Sequence, residues 1–276
     1  MTGEQEESEN LKVISTRLLN VLSAYKTVIV AFSGGVDSTL LAAAALKSLG
    51  PANVTAVTAV SPSLGASDLH NCEELANEIG LTWKQVKTDE FSNDEYLIND
   101  KNRCYWCKHS LMKELLPISK DLNANVLLGV NIDDLDDYRP GQSAASEYGG
   151  EFPLVEAGLT KENVRELAKH WHLPNWQRPA QPCLASRVPY GTSITVNIMS
   201  TVDRSEEILR KYGFDNVRVR HYGDTARIEV PPDEFIRVAE HASVLVQEIE
   251  KLGYQYVTLD LKGLRSGNLN LALKNE

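Results

Sequence analysis

The stretch AFSGGVDSTL, residues 31–40, sets two glycines, an aspartate and two serines between an apolar run and the start of a helical pattern. Gly34 and Gly35 accept positive φ and let oxygen atoms approach the backbone. Ser33 and Ser38 add hydroxyls, and the helix start adds unsatisfied N–H groups and about half a positive charge. Together these are the parts of a phosphate cradle. It is not a Walker loop, because that loop needs GxxxxGK[ST] and no lysine stands here. The plain alternative is a glycine-rich turn in which Asp37 only caps the helix.

A second group is RCYWCK, in which Cys104 and Cys107 lie three residues apart at a helix start, so that both sulfurs face one point and the dipole favours their thiolates. A third cysteine, Cys183, sits in the proline-rich loop RPAQPCLASRVPYG. Three thiolates suit an iron–sulfur cluster, and a 4Fe-4S cluster so held keeps one iron open for an exchangeable sulfide. Zinc completed by a histidine such as His109 or by water, a redox pair, or no site at all are the other readings. Cys72 falls inside an amphipathic helix and is expected to be a core thiol. The six histidines show no paired metal spacing on one helix face.

A third group is VRVRHY, where Arg218 and Arg220 are two apart on a strand and leave one face of the sheet. With Ser186 and Arg187 from the cysteine loop they form a set able to grip a phosphorylated substrate, each charge-assisted bond contributing about 1.5 to 3 kcal/mol. The competing reading pairs these arginines with Glu229 or leaves them in water. The acidic run NIDDLDDYRPG, including residues 133–137, either holds magnesium and shapes a substrate entrance or is a solvated loop turning at Pro140 and Gly141.

These groups need a scaffold, and its rhythm is legible. LKVISTRLLNVLSAY has helical spacing and TVIVAF is a short buried strand. NVTAVTAV, LTWKQVKT and ANVLLGV are further strands, alternating with the helices ASDLHNCEELANEIG, YWCKHSLMKELLPIS and TKENVRELAKHW. The fold class is α/β, a mostly parallel sheet covered on both faces, with ligands at the strands' carboxyl ends. After RVPYG the pattern changes to a long helix, a hairpin turning at Gly223 and Asp224, one helix over PPDEFIRVAEHASVLVQEIEKLG, and a last strand YQYVTLDL. The expected domains are therefore 1–190 and a smaller α+β unit, 191–276.

With 276 residues, 42% of them hydrophobic and 24% charged, the chain has the composition of a globular protein. Its net charge of −10 argues against nucleic acid as a partner held by phosphate neutralisation, though a local basic pocket is compatible with it. MTGEQEESE lacks the features of a secretory signal and is expected to be loose; no apolar run is long enough to span a bilayer. The expected location is the cytoplasm, with no membrane partner and with cysteines kept as thiols.

SGGVDS after a first apolar strand resembles the pyrophosphate loop of the N-type ATP pyrophosphatases. That resemblance implies cleavage of ATP between its α and β phosphates, with magnesium nearby and a substrate adenylated. It carries Ser33, Gly34, Gly35, Asp37 and Ser38 to the loop's roles, Asp37 as a catalytic group, and sets Ala31 and Thr58 to Val60 beside adenine and ribose. SGGVDS, DDYRPG, SRVPYG, VRVRHYGDTARIEV and YVTLDLKGLRSG together cover nearly the whole chain and resemble the LarE family, ATP-dependent sulfur transferases of nickel-pincer nucleotide synthesis. The implied substrate is a phosphorylated, nicotinate-derived pyridinium dicarboxylate whose phosphate is held by Ser186, Arg187, Arg218 and Arg220, and the implied assembly is a homohexamer. Some family members sacrifice one loop cysteine, whereas others use three cysteines to hold a 4Fe-4S cluster. Cys104, Cys107 and Cys183 resemble the second group, with Pro182 aligned to the sacrificial position and Cys183 the catalytic cysteine of the loop. The physiological sulfide source is not legible. An iron–sulfur tRNA thiolase and a non-catalytic nucleotide- or metal-binding protein are the alternative functions.

Overall fold

A computed structural model describes residues 3–135 and 140–265. In chain order its helices and strands are α1 (Gly3–Ser23), β1 (Val28–Ala31), α2 (Val36–Leu49), β2 (Val54–Val60), α3 (Ala66–Glu78), β3 (Thr82–Lys87), α4 (Asp94–Leu97), α5 (Arg103–Leu122), β4 (Asn125–Leu128), α6 (Pro140–Glu147), α7 (Pro153–Glu156), α8 (Lys161–His170), α9 (Val196–Lys211), β5 (Arg218–Tyr222), β6 (Thr225–Glu229), α10 (Phe235–Glu240), α11 (Ala242–Glu250) and β7 (Tyr256–Leu259). They divide into two units, one built from residues up to 61, 67–90 and 104–181, the other from 62–66, 91–103 and 182 onward.

The first unit is a parallel four-stranded sheet in the order β3-β2-β1-β4, as the alternation of strands and helices predicts. Strand β1 is central, so both its faces are buried. Val28, Val30 and Phe32 join Leu18, Leu40, Leu41 and Leu167 in one core, while Ile29 faces Leu111, Met112 and Leu115 of α5 in another. The period-2 alternation of a strand thus ties helices to opposite faces of the sheet. The carboxyl ends of β1, β2 and β4 share an edge, with Ala31 in register with Val57 and Leu128.

The second unit carries a three-stranded sheet in the order β5-β6-β7. β5 and β6 form the expected antiparallel hairpin, with Gly223 at φ 63°, and β7 adds in parallel. Leu209, Phe214, Val219, Ile228, Leu245 and Ile249 fill its core. Residues 182–190, grouped with the first domain on sequence grounds, make their described contacts in this unit: Leu184 N–H donates to the Ser63 carbonyl (2.9 Å) and Arg187 pairs with Glu206.

Three local expectations change. Helix α1 begins at Gly3, so the acidic start is not loose through residue 9; Glu and Gln are good helix formers, and acidic residues suit a helix N-terminus. Pro140 and Gly141 open α6 rather than a turn, since proline fits the first helical turn and a Cβ on Gly141 would lie 3.0 Å from the Cys104 carbonyl oxygen. The long helix expected from Pro231 is a 3₁₀ turn followed by α10 and α11, broken at His241, whose ψ of 2° leaves the helical range. Among the described residues no helix is long and apolar enough to cross a membrane.

One glycine has no signal in the motif yet shapes it. A Cβ on Gly129, just past β4, would lie 2.7 Å from the Ser38 nitrogen and 2.9 Å from the Asp37 carbonyl carbon. Gly129→Ala is therefore expected to push the start of α2 off the sheet and to destabilise the protein by about 1–3 kcal/mol, measured by denaturant unfolding.

Candidate functional site

The loop between β1 and α2 starts where β1 ends and is held from below and from the side. Gly34 has φ 68°, and a Cβ there would lie 2.9 Å from the Cys72 sulfur, so only glycine fits. Gly35 is the N-cap residue of α2, in extended conformation and without a side-chain cap. The Ser38 hydroxyl donates to the Gly35 carbonyl (3.0 Å), accepts from the Ser33 N–H (3.3 Å) and lies 3.2 Å from the Ser33 hydroxyl. The N–H groups of Val36, Asp37 and Ser38 fall in the first turn and have no intrahelical acceptor. A helix start of this form offers an oxyanion both hydroxyls and backbone donors.

Asp37 is not the cap. It lies in the first turn of α2, where its carboxylate accepts from the Asn131 amide (2.9 Å) and pairs with the Lys161 ammonium. Both partners come from the chain after β4: Asn131 follows the strand, and Lys161 is the first residue of α8. That helix is fixed by its Thr160 cap and by Asp133, which accepts the Lys161 N–H (2.6 Å). Asp134 accepts the Asn131 N–H (3.1 Å). Two carboxylates of the acidic run thus build turns. Asp136, Asp137, Tyr138 and Arg139 lie outside the described residues. The loop has no lysine of its own, and the fold brings Lys161 to it from 124 residues away, a pairing that local spacing cannot reveal.

Ala31 and Val60 close their strands half-buried at the same sheet edge, with Thr58 hydrogen-bonded to the Phe32 carbonyl (2.7 Å). Cys72 is a fully buried core thiol, and burial pushes it up to about 11.

In the second unit the predicted substrate residues converge. Arg187 donates through Nε to Glu206 (2.8 Å), through Nη2 to the same carboxylate (3.1 Å), and through Nη1 to the Ser186 hydroxyl (3.1 Å), the Cys183 carbonyl (3.3 Å) and the Pro182 carbonyl. Arg220 donates to the Ser186 carbonyl (2.6 Å) and to Glu229 (2.9 Å). Arg218 donates to the Arg265 carbonyl (3.0 Å), and burial beside the Arg187 and Arg220 charges pulls its guanidinium down to about 10. All three arginines and both glutamates are buried. The pairing of Arg220 with Glu229 is therefore real. Arg220 Nε has no hydrogen-bond partner among the described residues.

The segment carrying Cys183 is braced from the other side. Asn99, fully buried at φ 58°, donates to the carbonyls of Pro189 and Thr192 (both 2.8 Å) and accepts from Arg103 (2.6 Å), which also donates to the Ala185 carbonyl (2.9 Å). Glu206 escaped the sequence reading. Its signal was a carboxylate at a core-facing position of α9, in phase with Met199, Val202 and Leu209.

Cys104 and Cys107 lie one turn apart at the start of α5; Cys104 and Cys183 are exposed and Cys107 is half-buried. No disulfide joins the cysteines. In kind, these three thiols fit the ligand set of a cluster. Among the described residues, no three His, Cys, Asp or Glu side chains are gathered at one metal site. His109, the ligand of the zinc alternative, packs against Tyr148, with ring centres 5.2 Å apart.

Residues 10–100 match the NAD synthase family model. The chain is 46% identical to the uncharacterized protein slr1717 of Synechocystis over 89% of this chain and 92% of that one. It is 38% identical to the pyridinium-3,5-bisthiocarboxylic acid mononucleotide synthase of Lactiplantibacillus plantarum, covering 94% of this chain and 96% of that one. A third relative, protein MJ0830 of Methanocaldococcus jannaschii, is 27% identical over 87% and 92%.

The buried thiol gives a direct check. At pH 8, below the raised Cys72 value, maleimide is expected to label Cys104 and Cys183 in the native protein while leaving Cys72 protonated and shielded. Peptide mass spectrometry should find Cys72 labelled only after unfolding or as pH approaches about 11.

Proposed function

The chain belongs to the LarE family of pyridinium-3,5-bisthiocarboxylic acid mononucleotide synthases, and from that membership we propose that it is an ATP-dependent sulfur transferase of nickel-pincer cofactor synthesis. Its substrate is a pyridinium dicarboxylate mononucleotide, and the product is the corresponding thiocarboxylate. The buried cluster of Arg187, Arg218 and Arg220 beside Ser186 carries this assignment, because three guanidiniums gathered at a serine, with Arg220 Nε lacking a hydrogen-bond partner among the described residues, are a donor set suited to a substrate phosphate.

A carboxylate is too poor an electrophile for sulfur to attack directly. Its oxygen attacks the α-phosphorus of ATP, the bond to the β-phosphate oxygen breaks, and pyrophosphate leaves. Ser33, Gly34, Gly35 and Ser38 receive the departing charge, with the α2 N-terminus favouring an anion there. Asp37 is the residue that would hold Mg2+, which when bound would neutralise phosphate charge. Its partner Lys161 offsets the carboxylate's repulsion of phosphate until the nucleotide and metal arrive. Ala31 and Val60 border adenosine. A sulfide-level nucleophile then attacks the acyl carbon and AMP departs, with the arginine cluster holding the substrate's distal phosphate so that little orientation is lost between steps.

Cys104, Cys107 and Cys183 are the residues that would hold a 4Fe-4S cluster, which when bound supplies an exchangeable sulfide at the iron lacking a protein ligand. The chain's own part is to keep three thiols reduced, two of them accessible on separate segments. The assembly that matches the family resemblance is a homohexamer.

Incubation with ATP, Mg2+ and the dicarboxylate mononucleotide is expected to release pyrophosphate and AMP and to yield thiocarboxylate; no pyrophosphate with any nicotinate-derived carboxylate overturns the assignment. Arg187→Ala is expected to raise the KM for the mononucleotide at least tenfold, by loss of a charge-assisted contact of about 1.5–3 kcal/mol, while leaving ATP affinity unchanged. Anaerobic purification should give a brown protein with acid-labile sulfide that Cys104→Ala lacks. The intact mass after turnover should be unchanged, whereas loss of hydrogen sulfide from Cys183 would reveal a sacrificial donor.

A further inference from the structure

Asn175 lies in the turn after α8, outside every motif of the sequence, and is buried against the glycine loop. Its amide nitrogen donates to the Gly34 carbonyl and to the Thr39 hydroxyl, both at 2.9 Å. The orientation of that amide is fixed, because a carbonyl oxygen only accepts. Its own Oδ1 is buried without a partner among the described residues. Burying such an oxygen is costly, and a residue chosen only to fill the core would avoid it.

We propose that Asn175 is a positioning residue for the anion cradle, acting by locking the peptide between Gly34 and Gly35; this rests on the ATP-cleaving reading above. The peptide is planar and trans, so its C=O and N–H point in opposite directions. Holding the Gly34 oxygen on Asn175 therefore turns the Gly35 N–H toward the Ser33 hydroxyl, 3.4 Å away on the cradle side. A peptide flanked by two glycines is also the one most free to rotate, since neither residue has a Cβ to forbid the flipped state. Flipped, it would aim a carbonyl oxygen at the incoming phosphate and convert a donor into a repulsive acceptor. The two glycines that admit the phosphate thus create a freedom that the loop itself cannot remove, and Asn175 removes it from outside.

Isothermal titration of the full chain with inorganic pyrophosphate and with ATP, both with Mg2+, tests this. Asn175→Ala and the near-isosteric Asn175→Asp are expected to weaken pyrophosphate binding about tenfold or more, the worth of one hydrogen bond to a charged group. Thr39→Val removes the second partner of the same amide but leaves the peptide anchored, and is expected to stay within about twofold of wild type. In wild-type protein the Gly35 amide resonance should shift on adding pyrophosphate, a readout that needs no variant to fold. Wild-type affinity in both Asn175 variants, an equal loss in Thr39→Val, or an unmoved Gly35 resonance on a protein that binds pyrophosphate overturns the proposal alone. A wild-type protein that binds neither pyrophosphate nor ATP overturns the ATP-cleaving reading, and this proposal with it.

Discussion

A helix whose first turn opens directly from a sheet edge carries N–H groups that its own backbone cannot satisfy, and much of the first unit's local structure keeps that end of α2 both fixed and uncovered. β1 is buried on both faces, so its carboxyl end cannot shift without disturbing two cores. Gly129 lets the end of β4 pass under Asp37 and Ser38 at a distance no side chain would allow. Cys72 fills the space beneath Gly34, and Asn175 and Asn131 anchor the loop and the first turn by side-chain amides. None of these contacts uses up the first-turn donors. The cradle is preorganised by its neighbours, so binding an anion there requires little ordering of the backbone.

The anion site proposed for the second unit rests on a different arrangement. Its guanidiniums are buried by the hairpin and by α9, and burial makes any residual charge expensive. Glu206 accepts from Arg187, Arg210 and the Val219 N–H, and Glu229 from Arg220, so the forks are held in fixed planes. Burial first, and then the neighbouring Arg187 and Arg220 charges, pull the Arg218 guanidinium down. Glu206 holds Arg187 by two contacts to one carboxylate and so fixes the plane of its fork.

The sequence shows clearly what local spacing controls. The strand, turn and helix of residues 28–49 follow from apolar runs broken by glycines, and the 218–229 hairpin follows from alternation around Gly223 and Asp224. The loop and arginine residues were legible because their chemistry is unusual at those places in an element. Lys161 and Asn175 were not, because they reach the cradle only through the packing of α8 and its following turn against α2, and nothing in KENV or LPNW marks a long-range partner. The start of α1 and the break at His241 were misread for another reason: polar residues carry helix propensity without periodicity, and a pair of short helices shares one apolar phase with a single long one.

Where the positive charge lies also separates the proposed substrate from a transfer RNA. A polyanion many nucleotides long is held by basic side chains spread over a surface, each displacing counterions, and such binding weakens steeply with salt. This chain has ten more acidic than basic residues, and three of its arginines are buried among the side chains of β5, β6, α9 and the Cys183 loop. Side chains so placed can contact one or two phosphates and cannot follow a backbone. Their value lies in desolvation, which strengthens each contact to a small anion able to reach them and offers nothing to a duplex that cannot. Charge buried in a fixed fork therefore favours a mononucleotide over a nucleic acid, and its binding should be far less sensitive to salt than that of a tRNA-modifying enzyme.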